Sequence, residues 1–153
     1  MGVIPSSHKT AQLHWEVANI QTYLNRFEFS QNRENRVAQL GRTGQFIFVR
    51  NFPLPDGYRP DYIDIMLITD EFPSRPPIGL YILNRNNKGL IGQLQEKFNA
   101  FQDRAYAEAQ AIHGYTWICY HYAANRWRYC AVAPRQGDNV LKFLSSFFAK
   151  LNE

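Results

Sequence analysis

The sequence predicts an α+β domain: an N-terminal helix, a four-strand antiparallel meander, an inserted helix, a cysteine-bearing segment and a C-terminal helix. Two patterns carry that expectation. Apolar residues recur at helical spacing near both ends, and between them short aromatic and β-branched runs are separated by proline, glycine and asparagine turns. Size adds a third observation. A chain of 153 residues with 45% apolar content can bury a core without staples, and no repeat, low-complexity tract or linker divides residues 1–153.

Residues 1–9 read as a flexible polar tail. Thr10 is then available as a helix cap, and Leu13, Val17, Ile20 and Leu24 make the inward stripe of a first helix. Residues 36–41 read as extended, "RTG" as a turn and "QFIFVR" as a second strand. After "FPLPDGY", whose prolines and Asp-Gly stop a strand, Tyr62 to Ile68 alternates and then runs apolar. "TDEFPSRPP" is a loop stiffened by its prolines, and "IGLYIL" is the fourth strand.

Beyond "NRNNKG", the residues Leu94, Phe98, Phe101, Ala105 and Ile112 fall at helical spacing and predict an inserted helix over 92–112. The segment "HGYTWICYHYAANRWRYC" follows, from His113 to Cys130. It holds both cysteines and two of the three tryptophans. "APRQGDN" is a loop, Asp138 is placed to cap the last helix, and Leu141, Leu144, Phe148 and Leu151 give that helix one apolar face.

The net charge of +4 and pI near 9.2 come from scattered Lys and Arg with no basic run, so nucleic acid is a disfavoured partner. No apolar stretch approaches membrane-spanning length, and "MGVIPSSHKT" lacks the build of a signal peptide. The expectation is a cytoplasmic protein, off the membrane, with both cysteines as free thiols. Histidine and cysteine spacing matches no structural zinc pattern, so neither a metal nor a cofactor is expected.

Two readings stand for Cys119. It is a small buried hydrophobe, or it is a nucleophile whose thiolate attacks and later leaves. His121 lies two residues on, and an extended backbone puts both side chains on one face, where His121 can stabilise an oxyanion or move a proton. His113 is a second, weaker candidate with a dipole reason to sit at a helix end. Asp138 is either the helix cap or an acid near the cysteine that helps deprotonate an incoming amine. Trp127 reads as support that shapes the cysteine loop, and Cys130, in the alternating "YCAVA", as core.

This order of elements resembles that of the ubiquitin-conjugating enzymes, from about residue 11 to Glu153. "EFPSRPP" is similar to the family's Tyr-Pro-x-x-Pro-Pro loop, with Phe72 in the tyrosine position and Pro73, Pro76 and Pro77 on the prolines. Cys119 precedes Trp127 by eight residues, the spacing the family shows between its active cysteine and a tryptophan. "GDNVLKFLSSFFAKL" is similar to the helix that follows.

The resemblance implies that fold without the two last helices of eukaryotic members, and a thioester on Cys119 that passes a ubiquitin-like modifier to an amine. It also implies that the loop residues Phe72, Pro73, Arg75, Pro76 and Pro77 dock a partner. The family's His-Pro-Asn is missing upstream, where "EAQAIHGYTW" offers only His113. Divergent bacterial members place a histidine just beyond the cysteine, the position of His121. Their partners are an adenylating activating enzyme, a ubiquitin-like modifier and often a JAB-type metalloprotease, in systems some of which defend against phage. An inactive relative that only binds a modifier is the alternative.

Overall fold

The computed structural model describes residues 6–26, 37–42, 44–102, 110–122 and 126–153. Their elements are α1 (Ser6–Leu24), β1 (Val37–Leu40), β2 (Phe46–Pro53), β3 (Tyr62–Ile68), β4 (Leu80–Leu83), α2 (Lys88–Leu94), β5 (Ala100–Gln102), β6 (Tyr115–Ile118) and α3 (Val140–Leu151). The architecture is α+β, as expected, with three helices on a six-strand antiparallel sheet of order β1-β2-β3-β4-β6-β5.

Alternation along the strands divides the sheet into two faces. One face buries Ile47, Val49, Leu67, Leu80, Ile82 and Ile118 against Leu13, Ile20 and Leu24 of α1 and the stripe of α3. That stripe is Val140, Phe143, Leu144, Phe147, Phe148 and Leu151, and Phe148 stacks on Phe52 of β2 at 4.4 Å between centroids. Each such side chain contributes about 1.5–3 kcal/mol by leaving water. The opposite face carries a smaller cluster of Met66, Tyr81 and Trp117, flanked by half-buried Phe46, Phe48, Phe101 and Cys119.

Two local devices hold this frame. Between Val49 and Phe52 the β2–β3 register slips, Asn51 takes φ 56°, and its N–H donates to Asp64 Oδ1 at 2.9 Å. This bulge returns Phe52 to the core side of the sheet. At the far end of α3, the Lys97 ammonium donates to the carbonyls of Lys150, Leu151 and Glu153 at 2.6–3.2 Å, placing a cation against the last turn.

Four expectations need correction. No helix spans 92–112: α2 ends at Leu94, and Ala100–Gln102 form a strand paired with β6, so the sheet has six strands rather than four. Residues 103–109, with Ala105 of the expected stripe, lie outside the described residues. The first helix begins at Ser6, so Thr10 is inside it and part of the expected tail is helical. The cap of α3 is Asn139 rather than Asp138, since the Asn139 side chain accepts from the Lys142 N–H at 2.9 Å. "YCAVA" forms no strand, and Cys130 is half-buried.

Candidate functional site

The alternation of β6 continues past its end. Thr116, Ile118 and Tyr120 turn into the helix-covered core, whereas Trp117, Cys119 and His121 turn to the other face. Tyr120 anchors the segment by edge-on contacts to Phe98, Phe143 and Phe147 and by a hydroxyl contact with Ser146. Held this way, half-buried Cys119 has its Sγ 3.5 Å from Nε2 of exposed His121. The structure thus brings together the pair that the two-residue spacing anticipated.

Burial pushes the Cys119 thiol above its ordinary value of 9.0, so the resting group is the protonated thiol. Nε2 of His121, 3.5 Å away, is within reach of that S–H proton. The backbone N–H of Cys119 is committed to the Asn99 carbonyl at 2.8 Å.

Trp127 lies between the cysteine segment and the proline loop. Its indole N–H donates to the Pro73 carbonyl at 2.7 Å, and its ring meets Tyr122 edge-on at 5.5 Å, which ties the cysteine segment to the proline loop. The same contacts alter the reading of that loop. Phe72 is 3% exposed and packs edge-on against Tyr129, and Pro77 is buried, so neither is available to a partner. Arg75 is exposed, while Pro73 and Pro76 are half-buried. A cavity of about 230 Å³ beside the loop is lined by Asp70, Glu71, Arg75, Pro76, Ile78 and Tyr81 among others, and neither Cys119 nor His121 borders it.

Asp138 and His113 are not brought to the thiol. Both Asp138 carboxylate oxygens accept bonds of 2.6 Å, from the Tyr122 hydroxyl and from the Arg128 N–H. Tyr122 lies on the core side of the segment, opposite Cys119, so Asp138 latches the loop ahead of α3. Burial first, and then this acid, push the Tyr122 phenol well above its ordinary value. His113 sits beyond the other end of β6, a four-residue strand that at about 3.3 Å per residue spans about 13 Å.

One neighbour was missed from sequence. The register pairs Ala100 with Ile118 and Phe101 with Trp117, so Asn99 stands directly opposite Cys119 on the same face. No local signal exposes that neighbour, because residues 94–101 also satisfy helical spacing. Among the described residues, no three His, Cys, Asp or Glu side chains gather where they could hold a metal ion, and no helix is long and apolar enough to cross a membrane. No family model, curated protein or solved structure matches the chain.

Proposed function

We propose that this chain is an acyl transferase of the ubiquitin-conjugating kind, which carries a ubiquitin-like modifier as a thioester on Cys119 and passes it to an amine, most simply a lysine. The observation that carries the reading is the half-buried thiol within 3.5 Å of the His121 imidazole. The Trp127 bond to Pro73 supports it, since the tryptophan and proline motifs that resemble the family's meet in space. The helix–meander–α3 order supports the same fold at the level of element order.

In charging, His121 takes the S–H proton, and the Cys119 sulfur attacks the carbonyl of the modifier's thioester with an adenylating activating enzyme. The carbon–sulfur bond to the activating enzyme breaks, and its thiol leaves with the proton from His121. In discharge, an amine nitrogen attacks the new thioester, Cys119 leaves, and the amine proton passes through His121 to the departing sulfur. A metalloprotease that reverses the linkage completes such a system, with defence against phage as one setting.

The test is a non-reducing gel of this chain incubated with ATP, an adenylating activating enzyme and the ubiquitin-like modifier that enzyme charges. The expected product is a reductant-sensitive adduct of one modifier, lost in Cys119→Ala and kept in Cys130→Ala. A charged activating enzyme that leaves no adduct on the wild type sinks the transferase reading in favour of a modifier-binding module.

A further inference from the structure

The cations of this chain are scattered in sequence, yet three of them from separate segments meet at one cavity. It measures about 200 Å³, lies between the end of α1, the loop ahead of α3 and the first turn of α3, and is lined by Arg26, Arg135, Lys142, Asn19, Thr22 and Asn139 among others. Among the described residues, no Asp or Glu lines it. Neither the Arg26 nor the Arg135 guanidinium has an ion pair or a hydrogen bond with a described residue at this cavity. Like charges gathered this way repel one another, and an anion between them reverses the sign of the interaction.

Local hydrogen bonds fix the backbone that carries these cations. Arg26 lies in the turn just beyond α1, with its N–H on the Tyr23 carbonyl at 3.1 Å. The loop that holds Arg135 is closed by the Gln136 N–H on the Ala133 carbonyl at 2.9 Å and by the Asn139 amide on the Pro134 carbonyl at 3.1 Å. The Lys142 ammonium donates to the Arg135 and Gly137 carbonyls at 3.2 and 2.6 Å, which ties that loop to α3 and leaves the ammonium a further N–H. The frame is set before a ligand arrives, which lowers the ordering cost of binding. The adjoining acids are engaged elsewhere. Both Asp138 oxygens are taken by Tyr122 and Arg128, and buried Glu16 holds the Val140 N–H.

We propose that this cavity binds a phosphate dianion, either free or as the monoester of a small molecule. A carboxylate carries a single charge and is matched by one guanidinium fork. A phosphate monoester carries about two negative charges above neutral pH and offers three acceptor oxygens, enough to engage both arginines and the lysine. The cations converge on one small cavity rather than along a stripe that could follow the backbone of a nucleic acid, so the ligand is compact. The site lies in the helix layer, whereas Cys119 belongs to the opposite face of the sheet, so its occupancy is independent of the chemistry proposed for that thiol.

The experiment is equilibrium dialysis of the full chain against radiolabelled inorganic phosphate at about pH 7.5, with chloride holding the ionic strength constant. Saturable binding is expected, weakened about tenfold or more in Arg26→Gln and in Arg135→Gln, the scale for losing a charge-assisted contact. Arg85→Gln, which alters an exposed arginine ahead of α2, should bind as the wild type does. Arg26 and Arg135 are exposed, so their variants should keep the urea midpoint of the parent. Competing glycerol 3-phosphate that binds more tightly than phosphate identifies the ester as the ligand, and equal or weaker competition identifies the free ion. Binding that does not saturate, or that survives undiminished in both arginine variants, overturns the site. Acetate competing as well as glycerol 3-phosphate also overturns it, since net positive charge alone is then being read.

Discussion

Replacing Glu16 by glutamine should remove a pH dependence from the stability of this protein. Glu16 lies in the middle of α1 and is fully buried, with Oε1 accepting the first N–H of α3, that of Val140, at 2.6 Å. Its Oε2 is buried without a hydrogen-bond partner, as are Gln12 Oε1 one helical turn away and the Tyr129 hydroxyl. Burial pushes the Glu16 carboxyl from 4.5 up to about 7, and the Val140 N–H pulls it part of the way back. In the unfolded chain the acid ionises near its ordinary value.

Between those two values the folded protein holds a proton that the unfolded chain has released. Its stability contribution is therefore complete below pH 4.5, falls as pH rises, and is lost above about pH 7. At about 1.4 kcal/mol per pH unit, that interval corresponds to about 3 kcal/mol. Glutamine keeps the acceptor for Val140 and stays neutral throughout. Urea unfolding followed by tryptophan fluorescence at pH 5, 6, 7 and 8 gives the difference between wild type and Glu16→Gln, in which other titrating groups cancel. The variant should gain on the wild type by about 3 kcal/mol from pH 5 to 8. A difference constant within about 0.5 kcal/mol over that range refutes the reasoning.

Three further outcomes are expected. Gly79 sits at φ +70°, and a Cβ there would clash with the Ile118 carbonyl oxygen, so Gly79→Ala should destabilise by about 2 kcal/mol or more. A melting temperature lowered by about 6 °C reads that loss, and an unchanged melt contradicts it. Tyr122→Phe removes the hydroxyl bond to Asp138 while keeping the ring contacts with Trp127 and Phe143, and should cost about 2 kcal/mol in urea unfolding. In Cys130→Ala protein, alkylation of Cys119 by iodoacetamide should still be climbing at pH 9, because the thiol stands above 9.0; a plateau below pH 8 is incompatible with its burial.

Both terminal helices and the meander were legible because one stripe or one alternation decided each of them. The Cys119–His121 pairing was legible for the same reason, since a spacing of two means one face wherever the backbone is extended. Residues 92–112 were not. Phe98 packs at 4.7 Å on Phe147 in the main core, while Phe101 stacks on Trp117 across the sheet, so the two share no face although their spacing fits a helix. What decides between helix and strand there is pairing with β6, a distant segment.

At Asp138-Asn139 two cap-competent residues adjoin, and the choice falls to Asn139 because the Asp138 oxygens are taken by Tyr122 and Arg128. Phe72 gave no sign in sequence that it faces Tyr129 rather than solvent.

The alternation along β6 and its extension separates two kinds of selection. Thr116, Ile118 and Tyr120 are buried in the fold, whereas Asn99 and His121 are exposed and Cys119 is half-buried on the outer face. Substitution at exposed Asn99 or His121 leaves the fold intact, because surface substitutions away from packing cost within about 0.5 kcal/mol. Relatives of this chain are therefore expected to differ more at those exposed positions than at Thr116, Ile118 and Tyr120 beneath them, or at the buried Met66, Tyr81 and Trp117 beside them.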